Sequence, residues 1–136
     1  MEQFGAVKKR ISTLAAQLYA RAELGTLQAK LVRHLGKIGP MSQAALARAT
    51  DTDVPLTSRA IQALIEREVI QRERSDEDRR EYVLSLTPSG RRLYQHVTKL
   101  RDELVEQVVG SLDARDLADF ERIAGKIVAA TQPAAT

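Results

Sequence analysis

The sequence predicts a mainly α-helical fold that carries one small β-hairpin. Two observations indicate it: apolar residues recur every three or four positions through most of the 136 residues, whereas residues 69–86 change to a two-residue alternation. The apolar share is 43%, which suffices for a buried core. No apolar run approaches the roughly 20 residues that cross a bilayer, so we expect one globular domain and no membrane association.

Composition excludes several kinds of chemistry. There is no cysteine, which rules out disulfides and thiol sites, and only two histidines, so we expect no metal. The sequence has neither a glycine-rich phosphate loop nor a Ser/His/Asp arrangement at recognisable spacing, so we expect neither an enzyme nor a cofactor. In residues 1–10 the charges follow the apolar residues, the reverse of a secretory signal, so we expect a cytoplasmic protein.

Charge is distributed unevenly along the chain. The net charge is +3, but residues 1–50 carry +6, residues 51–81 carry −3 and residues 82–136 are balanced. The excess of basic residues weakly indicates an anionic partner. Any nucleic-acid contact from residues 51–81 must therefore depend on a few placed arginines.

Helical spacing predicts two helices before residue 40. One apolar seam predicts the first helix: Phe4, Val7, Ile11, Leu14 and Leu18. After a break near Gly25, we expect Thr26 to cap a second helix with this inner face: Leu27, Leu31, Leu35 and Ile38. Gly36 and the pair Gly39-Pro40 are expected to end it.

Two shorter helices separated by a tight turn follow. Ser42 is expected to cap a helix from Gln43 to about Ala49, and Asp53 to cap another that continues to about Arg67. Pro55 lies in the first turn of the latter, where its missing N–H costs nothing. The expected inner face of this helix is Ala60, Ile61, Leu64 and Ile65. Such a pair is a helix-turn-helix.

The next segment has the pattern of a hairpin. Residues 69–74 are short enough for a strand, residues 75–78 form a polar turn, and Tyr82, Leu84 and Leu86 alternate with polar or smaller neighbours. A hairpin directly after a helix-turn-helix is a wing. A long helix then starts near Thr87 with this seam: Leu93, Val97, Leu100, Leu104 and Val108.

A last helix after Gly110 and Asp113 carries a further seam: Leu117, Phe120, Ala124 and Ile127. We therefore expect a single domain in which residues 26–87 form a winged helix-turn-helix lobe. Residues 1–22 and 88–130 form a helical dimerisation region, and residues 131–136 are a disordered tail.

This order of elements resembles the MarR family of bacterial regulators over nearly the whole chain. The specific matches are Asp78-Arg79-Arg80 in the wing, Leu86-Thr87-Pro88-Ser89-Gly90 before the long helix, Gly39-Pro40-Met41-Ser42-Gln43 with Leu46-Ala47, and Arg59, Leu64 and Val69-Ile70 with Arg72. Two positions depart from the family pattern. Ala45 replaces an acid that would complete the capping box of Ser42. Glu68 replaces the glycine that ends the recognition helix, which would cost about 1 kcal/mol in a left-handed conformation.

A winged helix-turn-helix reads DNA by placing its second helix in the major groove. We expect these outward residues to bind DNA: Pro55, Thr57, Ser58, Arg59 and Gln62. Leu56 suits either packing or a thymine methyl. Ser42 and Gln43 stand where backbone N–H groups favour a phosphate. In the wing, Arg72, Arg74, Arg79 and Arg80 are the expected DNA contacts, with Asp78 structuring the wing by pairing with Arg80 or a neighbour.

The terminal seams predict a dimer, because a lobe of about 60 residues cannot cover them. The resemblance also implies a homodimer, together with a small aromatic or anionic effector. Tyr19, His34 and Tyr94 could border the effector pocket, although ordinary surface or helix-edge positions explain them equally well. The predicted function is that of a homodimeric repressor on a pseudo-palindromic operator. The alternative, favoured by the acidic balance of residues 51–81, is a protein that does not bind DNA and acts by protein contact as an anti-repressor.

Overall fold

A computed structural model describes residues 1–77 and 81–133. Within them the elements follow in this order: α1 (Glu2–Ala20), α2 (Thr26–Ile38), β1 (Met41–Ser42), α3 (Gln43–Ala49), α4 (Val54–Glu66), β2 (Ile70–Arg74), β3 (Tyr82–Leu86), α5 (Pro88–Val109) and α6 (Ala114–Ala130). The mainly helical fold with one hairpin is confirmed. No helix among the described residues has both the length and the apolarity that crossing a membrane requires.

The hairpin is extended by a third strand. β2 and β3 pair antiparallel with Ile70 opposite Leu86, and β1 adds to the other edge of β3 with Met41 opposite Leu84. β1 has only two residues, too few for any alternation to show in the sequence. It fixes the start of α3 to the base of the wing.

The core is built around α2. Leu31 and Val32 of this helix are fully buried, and they are joined by buried side chains from the lobe and from α5: Leu46, Ile61, Leu64, Ile70, Leu84, Val97 and Leu100. The predicted seams of α2, α4 and the first half of α5 thus face one another. Ile38 is the exception: it was predicted on the inner face of α2 but is 63% exposed, because it is the last residue of the helix, beyond the core. By contrast, α6 contains no buried residue.

The predicted ends of α2 need two corrections. Gly25, not Thr26, is the N-cap, because the backbone N–H of Gly25 donates to Gln28 Oε1 at 3.1 Å and Thr26 is already helical. Gly36 does not end the helix. It lies inside α2. The ring of Tyr94 packs directly on it, so a Cβ atom would clash there, and this contact explains the glycine. The helix ends at Gly39, whose φ is 107°.

Three helices end on an acidic residue in the left-handed conformation: Glu23 after α1 (φ 56°), Asp51 after α3 (φ 49°) and Glu68 after α4 (φ 60°). At α4 the N–H of Glu68 donates to the carbonyl of Ile65, and that of Val69 to the carbonyl of Leu64, both at 2.9 Å. This pair of backbone hydrogen bonds is the Schellman motif, in which glycine is the usual residue at the left-handed position. Glu68 therefore adopts the conformation that glycine would, and the recognition helix keeps its usual ending.

Thr87 connects this ending to the start of α5. Its hydroxyl oxygen accepts from the N–H of Gly90 at 2.9 Å, which makes Thr87 the N-cap of α5 where the sequence predicts the helix to start, and the hydroxyl donates to the carbonyl of Glu68. The same residue therefore begins the long helix and holds the end of α4.

Candidate DNA-binding surface

α3 is positioned by its N-cap. The hydroxyl of Ser42 accepts from the N–H of Ala45 at 3.1 Å, so Ser42 caps the helix without the reciprocal acid that Ala45 replaces. Ser42 and Gln43 are both half-buried. They line, with Arg72 and Tyr82 of the wing, a cleft of about 330 Å³.

The turn between α3 and α4 is held by several polar contacts. Thr50 is buried and its hydroxyl donates to the carbonyl of Leu46 at 2.7 Å, while the ammonium of Lys30 donates to the carbonyl of Thr50 at 2.7 Å. Asp53 caps α4 by accepting from the N–H of Leu56 at 3.1 Å. These bonds fix where α4 begins, so its outward residues project from a rigid base.

The outward side of α4 carries an exposed stripe of predicted DNA-binding residues: Pro55, Ser58, Arg59 and Gln62. Among the described residues Arg59 has neither a hydrogen bond nor an ion pair, and Gln62 makes only a long contact, 3.5 Å, to Glu66. Their side-chain donors therefore point to solvent on a convex helical surface. We refer to these four residues as the α4 stripe.

Thr57 does not belong to this surface, and the prediction that it faces outward is wrong. Its side chain is 0% exposed and its hydroxyl donates to the carbonyl of Asp53 at 2.9 Å. The cause is helical geometry, since Ile61 and Leu64 lie four and seven positions later and are buried on the same side. Because the Thr57 hydroxyl finds its hydrogen-bond acceptor within its own helix, no partner residue in the sequence indicates that it is buried.

Apolar side chains flank the stripe at the start of α4. Leu56 is 49% exposed, so it does not pack into the core, and Val54 is exposed as well. Sequence reasoning did not single out Val54. Methyl-bearing side chains here could contact the C5-methyl group of thymine in a major groove.

In the wing, Arg72 and Arg74 lie on β2 and are both exposed. Their guanidinium carbons stand 5.6 Å and 5.3 Å from the centre of the Tyr82 ring. Tyr82, expected only as part of a half-buried strand, is 45% exposed. The predicted contacts Arg79 and Arg80 and the predicted wing-structuring Asp78 lie outside the described residues.

The acidic balance of residues 51–81 comes partly from residues with backbone roles. Asp53 caps α4, while Asp51 and Glu68 occupy the left-handed positions that end α3 and α4. Glu73 lies on β2 between the two arginines, with its side chain on the opposite face of the hairpin from theirs. Asp53 at the start of α4 and Glu66, 3.5 Å from Gln62, place part of this negative charge next to the α4 stripe.

The three residues considered for an effector pocket do not meet in one cavity. Tyr19 is buried in the core, and His34 is half-buried on α2. Tyr94 borders a cleft of about 290 Å³ between α2, β3 and α5 that has these other lining residues: Leu35, Gly36, Gly39, Pro40, Ser85, Leu86, Arg91 and Gln95. Tyr19 and His34 are not among them.

Comparison with known proteins gives a family match over part of the chain and a fold over nearly all of it. The MarR family model matches residues 26–82. The structure of MepR from S. aureus in complex with DNA superposes with a TM-score of 0.84 at 20% identity, covering 95% of this chain and 96% of that one. A mutant of MarR from E. coli in complex with operator DNA gives 0.83 at 16% identity, with 93% and 91% covered.

A third structure is BpsR of Bordetella bronchiseptica, described with a mechanism by which 6-hydroxynicotinic acid regulates its DNA binding. It superposes with a TM-score of 0.81 at 20% identity, covering 93% of this chain and 96% of that one. No curated protein matches the sequence at a significant level. The MarR family model thus matches the winged helix-turn-helix part of the chain, and the solved structures share the fold of nearly its whole length.

Proposed function

We propose that the protein is a transcriptional regulator that binds double-stranded DNA with α4 in the major groove. The observation that carries this proposal is the α4 stripe, whose Arg59 and Gln62 project unpacked donors from a rigidly capped helix. A guanidinium can fork onto guanine, and a side-chain amide can bridge adenine. The similar structures of MarR and MepR in complex with DNA support the proposal that this protein binds DNA.

The DNA-binding form is a homodimer. The apolar seam of α6 has no cover in the single chain, where Phe120 is 51% exposed and Ile127 is also exposed, and Phe4 on α1 is 58% exposed. Soluble proteins rarely leave such contiguous apolar surface in water. A second copy would cover it symmetrically, and a two-fold axis would place two α4 helices about 34 Å apart on one face of a duplex.

The matching DNA site is a pseudo-palindrome, and the regulator acts as a repressor that a small aromatic or anionic effector releases. The cleft beside Tyr94 supports this part, because its ring and the guanidinium of Arg91 suit an aromatic acid. The regulation of BpsR by 6-hydroxynicotinic acid points to the same ligand class. Calorimetric titration with phenolic and aromatic carboxylic acids tests it, and Arg91→Ala should abolish any heat that binding produces.

The alternative function, an anti-repressor that contacts protein and not DNA, draws on the net charge of −3 over residues 51–81. Three of these acids also have backbone roles, since Asp53 caps α4 and Asp51 and Glu68 are the left-handed residues after α3 and α4. A gel shift with the DNA around the protein's own gene separates the two. We expect a discrete complex that Arg59→Ala removes, whereas an intact dimer that shifts no duplex would favour the anti-repressor.

A further inference from the structure

The first turn of α4 is apolar and exposed. Val54 is 63% exposed and Leu56 is 49% exposed, and Pro55 between them is exposed as well. We refer to these three residues as the apolar rim. The next turn differs in character, since its exposed residues are Ser58 and Arg59. The helix therefore begins with an apolar surface and continues with a polar, cationic one.

Helical geometry explains why the apolar rim stays outside the core. Thr57 and Ile61 mark the side of α4 that is buried. Consecutive residues are about 100° apart around a helix, so Pro55 lies almost opposite Thr57. Val54 and Leu56 lie on either side of Pro55. The apolar rim is therefore continuous around the exposed side of the first turn.

The backbone at this end of α4 is poorly suited to a phosphate, which binds a helix N-terminus through free N–H groups. The N–H of Leu56 donates to the carboxylate of Asp53 at 3.1 Å, and the N–H of Thr57 donates to the carbonyl of Asp53 at 2.9 Å. Pro55 has no N–H. The carboxylate would also repel an anion. An uncharged, apolar group therefore suits the apolar rim better than the DNA backbone does.

A major groove offers one apolar group to such a surface, namely the C5-methyl group of a pyrimidine. The other groups that the base edges present there are hydrogen-bond donors and acceptors. Thymine carries this methyl group, and 5-methylcytosine carries it at the same ring position. The N-terminal residues of a recognition helix contact base edges, which puts the apolar rim among the bases. A protein partner fits less well, because a stable protein interface takes about 20–30 residues a side.

We propose that Val54 and Leu56 are specificity-determining residues that recognise pyrimidine C5-methyl groups in the major groove. The proposal rests on the proposed function, because it requires α4 to lie in the major groove of a duplex. Within that function it divides the helix into two parts. The first turn detects methyl groups, whereas Arg59 and Gln62 bond to the polar groups of the base edges.

Replacing thymine by deoxyuracil tests the proposal, because it deletes the methyl group and keeps the hydrogen-bonding groups of the base. The probe is the duplex that the wild-type protein selects from a random pool, with its thymines replaced one position at a time. We expect the sensitive positions to show wild-type binding weakened about fourfold for each methyl group removed, the value for one buried carbon.

A double-mutant cycle assigns each methyl group to a residue. Val54→Ala and Leu56→Ala should each reduce the loss at one thymine to less than about twofold, because the contact is already gone. Ser58→Ala on the same helix is the matched control and should keep the full loss, whatever its own affinity. Two polar variants of similar size, Val54→Thr and Leu56→Asn, give a second measurement at each position. A residue whose variants keep every loss has no such role.

The two sources of the methyl group are separated at the sensitive position. A duplex with 5-methylcytosine that binds about fourfold more tightly than the same duplex with cytosine shows that the group is recognised on either base. No gain there assigns recognition to thymine.

The outcomes also separate this proposal from the proposed function. A wild-type protein that selects no duplex would contradict DNA binding itself. Wild-type binding that no deoxyuracil weakens, or losses that the variants of Val54 and Leu56 all retain, would leave DNA binding standing and overturn the role of the apolar rim.

Discussion

The guanidinium of Arg67 donates a hydrogen bond of 2.7 Å to the backbone carbonyl of Glu23 and a longer one, 3.4 Å, to that of Ala22. Arg67 is the C-cap of α4, and the two carbonyls belong to the turn that follows α1. The end of α4 is thus attached to the connection between α1 and α2. Sequence reasoning had treated Arg67 only as the end of α4.

We expect Arg67→Met to lower the free energy of unfolding by about 1 kcal/mol, because a charge-assisted hydrogen bond is lost from an exposed site. Arg59→Met is the matched control, since it makes the same change on the same helix where no described partner exists. It should alter stability by less than about 0.5 kcal/mol and should impair DNA binding severely. Urea unfolding of both variants checks this, and equal stabilities would mean that the attachment contributes nothing.

Glu68→Gly should stabilise the protein by roughly 0.5–1 kcal/mol, because glycine removes the cost of a left-handed residue at φ 60°. Glu66→Gly, two residues earlier and inside α4, should destabilise it by about 1 kcal/mol. Glu68→Gln isolates the effect of charge from that of conformation. If Glu68→Gln stabilises as much as Glu68→Gly, the gain comes from removing a carboxylate at a helix C-terminus and the strain argument fails.

Much of the fold follows from sequence signals that act locally. Ser42 and Asp53 each cap the helix predicted for them, since a cap depends on a side chain and an N–H three residues away. The failures depend on tertiary contacts. The role of Gly36 is set by Tyr94, nearly 60 residues later, and β1 exists only because β3 pairs with it.

The candidate DNA-binding surface was likewise predictable where local helical periodicity decides it. The periodicity of α4 correctly predicts that Arg59 and Gln62 face outward. It fails at Thr57, which is buried with its hydroxyl satisfied by its own helix. The sequence held one overlooked signal, namely that a hairpin closing residue 74 on residue 82 places an arginine beside a tyrosine. To use that signal one must know the register in which β2 pairs with β3, and the register cannot be derived when the length of the polar turn between them is uncertain.

Phe120→Glu should dissociate the proposed dimer, because it places a charge in the exposed seam of α6. Ala118→Glu makes the same change of charge on the opposite side of the helix and should leave the dimer intact. Sedimentation equilibrium at micromolar concentration should give about twice the chain mass of 15.1 kDa for the wild type and the control. A wild-type monomer that retains its helicity would contradict the proposal.

Salt dependence reports the charges near the wing. Four arginines on each protomer, namely Arg59, Arg79, Arg80 and either Arg72 or Arg74, would give a slope of log affinity against log salt near −7 at most. We expect about −3 to −6, because acids lie beside the tip in the sequence. Asp76→Asn with Glu77→Gln should steepen the slope and raise non-specific affinity while leaving base preference nearly unchanged. A wild-type slope of about −8 or steeper, or no response to the double change, would mean that these acids point away from DNA.

The most direct test of the account is selection of duplexes from a random pool by the purified wild-type protein. The account predicts enrichment of an inverted repeat whose half-sites are centred about 10 base pairs apart, because two α4 helices enter successive major grooves. Gln62→Ala should relax the preference at one position of each half-site and leave the others unchanged. Enrichment of a sequence without two-fold symmetry, or of none, would contradict the central claim that a symmetric dimer reads DNA through the α4 stripe.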